Sequence, residues 1–385
     1  MAPATWAPFA GLSRPTWSLP LRWRPAPWAG CWTRGPSRGS CCSGWPAAPC
    51  SALLPPYRCC RACWRRGQPR AKTKLLIPTT TKAQLTAMHE PIHIDSRWAQ
   101  RLRRGEQPDA AEVREHLLAV HQRHAGFTEG VARGCRDAAG RNSYEWLAEV
   151  IDPARHRTIL DLACGSGVLA EICLQRHGDA IELIGIDMSA DELALARRRI
   201  PDPGCRLHQA LAQSMECIPD AGVDLVLCHW ALTLMDPIEP VLAEIRRILR
   251  PQGTLAAIID GDIASSPSYA AVHDVIYSAA QHEYPSYANA DLGDARVRAP
   301  ESLAALIRQT FRDAEVRIEP GMVSLDGAPQ TLAEEATGFF YASFVLSAHA
   351  RARALAEVAR VLSADAGSDG LGRFDMPIHR LVAQL

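Results

Sequence analysis

The chain has 385 residues with 42 Lys+Arg against 42 Asp+Glu, a formal net charge of zero that hides a split: residues 1–89 hold ten Arg, three Lys and no acid, for +13, so the remainder carries −13. A body that acidic argues against a general nucleic-acid binder, whose affinity for phosphate needs clustered Lys and Arg. No run of 18 apolar residues occurs, which excludes a transmembrane helix.

Residues 1–87 use a different alphabet from the rest. They contain seven of the ten Trp, seven of the thirteen Cys, thirteen of the 28 Pro and all three Lys, and none of the thirteen His. Proline every six or seven residues forbids a long helix or a central strand. A targeting peptide would share the poverty in acids but not the Trp, Cys and Pro load. Cys60–Cys63 is a C-x-x-C, yet no second such pair or His pair accompanies it, so a zinc module lacks half its ligands. The reading we favour is that translation begins at Met88 and that residues 1–87 are a disordered, non-native extension. The six later Cys have no metal-ligand spacing and suit a reducing, cytoplasmic setting.

From Met88 the pattern predicts one α/β domain, residues 88–385. Residues 109–124 and 142–151 are predicted helices, capped by Asp109 and by Asn142 or Ser143. Strands follow at 158–162, 181–186, 206–208, 223–228 and 254–260, with helices at 167–177, 190–199 and 238–249 between them. Strands alternating with helices imply βαβ units and a buried parallel sheet. Beyond 260 the pattern predicts helices at 267–282 and 300–311, a strand at 314–319, a long helical stretch at 331–363 and a last strand at 376–382.

The chemistry-bearing motifs lie in 158–260. In Asp161-Leu-Ala-Cys-Gly-Ser-Gly167 an acid ends a strand and a small-residue turn enters a helix. Gly165 and Gly167 remove Cβ atoms that would hold a ligand off the backbone, and the helix offers free N–H groups. The run Gly165–Ala170 also fits G-x-G-x-x-G/A, so an NAD-binding dehydrogenase is a live alternative on this motif alone. A carboxylate at Asp161 is unwelcome beside a pyrophosphate but welcome beside an ammonium, and S-adenosylmethionine (SAM) carries an ammonium and no phosphate. Asp187 ends a second strand, where an acid can accept bonds from both ribose hydroxyls. Asp187→Asn is expected to lose less affinity than Asp187→Ala, because it keeps an acceptor.

In order and spacing, DLACGSG (161–167), IGIDMS (184–189), VDLVLCHWAL (223–232) and EIRRILRPQGTL (244–255) resemble the class I SAM-dependent methyltransferases, in the type-11 branch. The match covers about residues 140–260. The resemblance implies a Rossmann-like, doubly wound, mostly parallel seven-stranded sheet of order 3-2-1-4-5-7-6 with strand 7 antiparallel. It implies that Asp161, Ala163, Gly165 and Gly167 meet the methionine part of SAM, that Asp187 holds the ribose and that Met188 packs on the adenine. The family's usual Asp after strand 3 is replaced here by Leu211, which leaves Ala212 and Gln213 to read the adenine.

His229 ends strand 4 at the ligand-binding edge, where it could line the SAM pocket, orient the acceptor or act as a base. Trp230 is expected as a pocket wall, and Tyr144 as a cover over SAM. Tyr269 and Tyr277, in a stretch holding four of the seven Tyr, together with Phe340, are candidates for an aromatic acceptor pocket. The expected division is 88–151 N-terminal helices, 152–262 SAM-binding core and 263–385 acceptor side, with 88–151 and 331–363 forming a lid. The expected activity is methyl transfer to a small organic molecule. The alternatives are a macromolecule methyltransferase, which the acidic body and Cys228-His-Trp-Ala after strand 4 disfavour, and a SAM- or NAD-binding protein without transferase activity.

Overall fold

The computed structural model describes residues 93–200 and 205–385; the expectation for residues 1–87 lies outside them. Four helices precede the sheet. Helix α1 (Arg97–Arg103) starts at Ser96, whose hydroxyl accepts from the Ala99 N–H, and it buries Trp98 and Leu102. Helix α2 (Ala110–Arg123) opens with a full capping box between Asp109 and Glu112. Helix α3 (Glu129–Gly134) is short. Helix α4 (Ser143–Ala148) is capped by Asn142 rather than Ser143. It stops short of the predicted 151 because Val150 and Ile151 donate to the Leu147 and Ala148 carbonyls, tightening the last turn ahead of Pro153. The pattern missed α1 and α3, one with a two-residue apolar stripe and the other holding Gly130 and Gly134.

The predicted alternation is present: β1 (Thr158–Leu162), α5 (Val168–His177), β2 (Glu182–Asp187), α6 (Ala190–Arg199), β3 (Cys205–Gln209), β4 (Val223–His229), α7 (Ile238–Ile248) and β5 (Leu249–Asp260). After them come α8 (Pro267–Glu283), α9 (Pro300–Thr310), β6 (Glu315–Gly327), α10 (Pro329–Phe339), α11 (Ala348–Ala364) and β7 (Gly372–Gln384). The seven strands form one sheet in the order β3-β2-β1-β4-β5-β7-β6. Strand β7 runs antiparallel to both neighbours, as expected.

Alternate residues of the central strands feed two cores. Ile159, Leu183, Leu225, Leu227 and Ile258 face one, packed with α5, α8, α10 and α11. Leu160, Ile184, Val226, Cys228 and Ile259 face the other, covered by α7 and α9. Burial on both faces explains why these strands read as unbroken apolar runs. Because β1, β2, β4 and β5 are parallel, their last residues, Asp161–Leu162, Asp187, His229 and Asp260, share one edge of the sheet.

Two expectations are corrected. The 331–363 stretch is two helices, α10 and α11, separated by a turn over Tyr341–Phe344. Ser347 restarts the chain as the cap of α11, accepting from Ala350 N. The break turns Phe340 and Tyr341 toward the ligand edge. Strand β6 runs to Gly327 instead of 319, because it pairs along its whole length with β7; Pro320 and Gly321 hide it from a periodicity search. The N- and C-terminal helices meet through Ile94 N–H donating to the Phe344 carbonyl at 2.7 Å and a His121 Nε2 to Tyr341 hydroxyl bond of 2.8 Å. No helix among the described residues is long and apolar enough to cross a membrane.

Candidate active site

The turn after β1 is built from three left-handed residues, Ala163 (φ 57°), Gly165 (φ 51°) and Gly167 (φ 80°). Cys164 N–H donates to the Ile186 carbonyl at 2.9 Å, fastening the turn to β2. Gly165 N–H donates to Asp187 Oδ2 at 2.9 Å, and Ser189 N–H to Asp187 Oδ1 at 2.8 Å. Asp187 therefore organises both the glycine turn and the start of α6 before any ligand arrives.

Gly167 also has a packing role behind the turn. It does not line the cavity beside the turn; a Cβ there would lie 3.0 Å from Ala196 Cβ and from Ile200 Cδ1. Its work is to let α5 close on α6 with a positive φ. Gly167→Ala is expected to cost about 1–3 kcal/mol, from left-handed strain plus the clash, read as a lower urea midpoint. SAM affinity of the folded protein should change little.

Asp161 is 1% exposed, and its Oδ2 has no hydrogen-bond partner among the described residues. Burial, reinforced by the charge of Asp187, pushes its carboxyl up to about 7, against a bond from the Ala170 N–H. Burial likewise raises Asp187, offset by the Ser189 N–H, by His121 and by the Gly165 N–H. A third carboxylate, Glu192 on α6, is 2% exposed. Its Oε1 accepts from Gly126 N–H and bonds His121 Nδ1, each at 2.8 Å. Its Oε2 is unpartnered among the described residues and lies 3.8 Å from where a Gly165 Cβ would be.

All three acids line one cavity of about 660 Å³. So do Ala163, Gly165, Met188, Ala212, Gln213, His229, Tyr144, Trp230, Tyr269, Tyr277 and Phe340. Of the candidate residues only Gly167 falls outside its lining. Leu211, where an Asp was expected, lines the cavity and is 39% exposed.

The ring of His229 stacks on Tyr144 at 3.7 Å, and its Nε2 is bonded to the Ser143 hydroxyl at 2.8 Å. Burial pushes its pKa down to about 3. A neutral, bonded imidazole of such low basicity is a poor proton acceptor at neutral pH, which weighs against the base role and for a wall that fixes Tyr144. Trp230 sits at φ 55° and meets Phe339 edge-on at 5.1 Å.

Sequence reasoning missed Glu192, His121 and Tyr341. They join positions 121, 192 and 341 in one hydrogen-bonded chain, and no local spacing announces such a contact. Glu192, five residues past Asp187, looks from the sequence like an ordinary first-turn acid of α6.

Carboxylates with unpartnered, buried oxygens fit a cationic group and repel a pyrophosphate. The site thus suits the sulfonium and ammonium of SAM and not a dinucleotide.

Residues 160–257 match a family model described as a methyltransferase domain, of the type-11 branch. The chain is 34% identical over 118 residues to an uncharacterised methyltransferase of Schizosaccharomyces pombe, covering 30% of this chain and 43% of that one. It is 30% identical over 148 residues to a trans-aconitate 2-methyltransferase of an Acidovorax species, 38% of this chain and 55% of the other. A demethylmenaquinone methyltransferase of Thermus thermophilus is 30% identical over 117 residues, 29% of this chain and 53% of the other. The chain spans about half the length of the curated relatives it matches. With the sheet order, the acid-ended β1 and β2 and the glycine turn between them, this match identifies residues 160–257 as a methyltransferase domain of the class I, type-11 kind.

Proposed function

We propose that the protein transfers a methyl group from SAM to a small organic acceptor. The observation that carries this reading is one cavity with two unlike ends. The β1–β2 end presents the unpartnered oxygen of Asp161. The β5 end is walled by Tyr269, Tyr277, Phe339 and Phe340. When bound, SAM supplies an activated methyl on a sulfonium.

In this reading Asp161 and the 163–165 backbone hold the charged methionine part. Asp187 accepts the ribose hydroxyls with the lone pairs left free by Gly165 and Ser189. Met188, Ala212 and Gln213 enclose the adenine. Tyr144, stacked on His229, and Trp230 wall the space between the two ends and exclude water. Positioning and desolvation then supply most of the rate. The division into 88–151 helices, 152–262 core and 263–385 acceptor side belongs to the same proposal. The relatives named for trans-aconitate and demethylmenaquinone support a small-molecule acceptor as a class.

Titration calorimetry of the full chain with SAM and with NAD tests the cofactor. Saturable SAM binding without NAD binding is expected, and the reverse would sink the reading. Tyr277 tests the acceptor end. Its ring packs edge-on to Phe340 at 6.2 Å and stacks on His273 at 4.0 Å. Tyr277→Leu should leave SAM affinity nearly unchanged while lowering transfer of labelled methyl to the acceptor. Loss of SAM affinity and stability together would make Tyr277 ordinary core.

A further inference from the structure

The β5 end of the cavity holds a buried carboxylate that has no ion pair among the described residues. Asp260 ends β5 and lines the cavity. Its carboxyl is held by the Thr233 hydroxyl, and burial raises its pKa. Arg298, whose charge Asp260 feels, donates instead to Asp291 Oδ1 at 2.9 Å and to the Leu292 carbonyl at 3.1 Å. Tyr269 feels the Asp260 charge, Tyr277 feels that of Arg298 and, less, that of Asp260, and all three side chains line the same cavity as Asp260.

A second, independent observation points to a ligand. Tyr287 is 3% exposed and lines the same cavity, yet its hydroxyl has no partner among the described residues. Its ring meets Tyr277 edge-on at 5.8 Å. A buried hydroxyl left unpaired in a folded protein is costly unless an occupant completes it. Asp236, Asp262 and Asp291 also line the cavity, as does Arg298; because Arg298 is paired with Asp291, an anionic acceptor at this end would meet Asp236, Asp260 and Asp262 with no arginine left unpaired beside them.

We propose that Asp260, Tyr269, Tyr277 and Tyr287 form the polar anchor of the acceptor, a subsite for a protonated amine carried on a flat, apolar body. The ammonium donates to the Asp260 carboxylate and to the Tyr287 oxygen. The tyrosine faces add cation–π attraction, and the apolar body fills the space against Phe339 and Phe340. A bound cation also offsets the cost of keeping Asp260 charged where it is buried. The subsite says where the acceptor is gripped; the atom that receives the methyl is a separate matter. Naming the occupant an acceptor rests on the methyl-transfer reading above, whereas the preference for an amine does not.

The test is calorimetry on the full chain with two probes of similar shape and opposite charge, tryptamine and indole-3-propionate, with and without SAM. Tryptamine is expected to bind at least about tenfold more tightly, the size of one charge-assisted contact. Asp260→Asn should abolish that preference and keep wild-type affinity for SAM. Tyr287→Phe should weaken tryptamine and leave indole-3-propionate unchanged. Equal binding of the two probes, absence of tryptamine binding, or a preference that survives in Asp260→Asn would overturn the subsite. If the Asn variant does not fold, the wild-type probe comparison and Tyr287→Phe decide. SAM binding without a tryptamine preference removes the subsite alone. A tryptamine preference without SAM binding removes the methyl-transfer reading and leaves the subsite standing.

Discussion

Asp161→Asn is expected to weaken SAM binding at least about thirtyfold, because it removes the charge of a desolvated pair, a loss of roughly 2–5 kcal/mol. The same change is expected to stabilise the ligand-free protein at neutral and alkaline pH. Asp161 is fully buried with one oxygen unpartnered, and its folded pKa is about 7, against an ordinary value of about 3.9 in an unfolded chain. Below about pH 4 the group is protonated in both states and contributes no difference. As the pH rises toward 7 the unfolded chain ionises while the folded one resists, so folding loses about 1.4 kcal/mol per pH unit from this group. Above pH 7 the penalty is complete, a few kcal/mol in all. The measurement is urea denaturation of wild type and Asp161→Asn at pH 5 and pH 8 without ligand. The variant's advantage should be larger at pH 8, and SAM should reverse the order. Equal differences at the two pH values would mean that Asp161 already has its partner inside the protein. The cofactor site is, on this argument, a place where stability is given up to keep an unpaired charge ready for a cation.

What the sequence disclosed and what it withheld follow from distance along the chain. The β1 turn and the acid of β2 are local: an apolar run ending in Asp, then small residues, can be read within ten positions. The parallel strands are legible because burial on both faces leaves them uniformly apolar. The order of the sheet came from motif resemblance, since no periodicity reports which strands are neighbours. Strand β6 escaped because its alternation is interrupted by Pro320 and Gly321, and its length is set by pairing with β7, some 50 residues later. The packing role of Gly167 is not legible along the chain, because a glycine turn has two clients, the ligand in front and the helix behind. Only the position of Ala196 shows that this glycine serves the second. The Glu192–His121–Tyr341 chain and the tyrosines around Asp260 depend on how two helical segments at opposite ends of the domain fold over one edge.

Asp187→Ala is expected to weaken SAM binding by at least about tenfold, from the loss of charge-assisted ribose contacts worth roughly 1.5–3 kcal/mol. The structure changes what Asp187→Asn should do. An amide keeps one oxygen and would, by residue type alone, lose less than alanine. Here both carboxylate oxygens already accept backbone N–H groups, Oδ2 from Gly165 and Oδ1 from Ser189. An asparagine must turn its NH2 toward one of them, setting donor against donor. The N–H so displaced is left unpaired in a buried setting, at a cost of about 1–3 kcal/mol. If it is Gly165 that loses its partner, the left-handed turn that carries residues 163–167 loses its tie to β2's acid. If it is Ser189, the entry to α6 and the approach of Glu192 loosen instead. Alanine leaves both N–H groups free but leaves room for water to meet them. Asp187→Asn should therefore bind SAM no better than Asp187→Ala, and its urea midpoint should fall at least as far. Calorimetric titration of SAM into both variants checks this. An asparagine variant within twofold of wild type would show that Asp187 serves the ribose alone and that the glycine turn holds its shape without it.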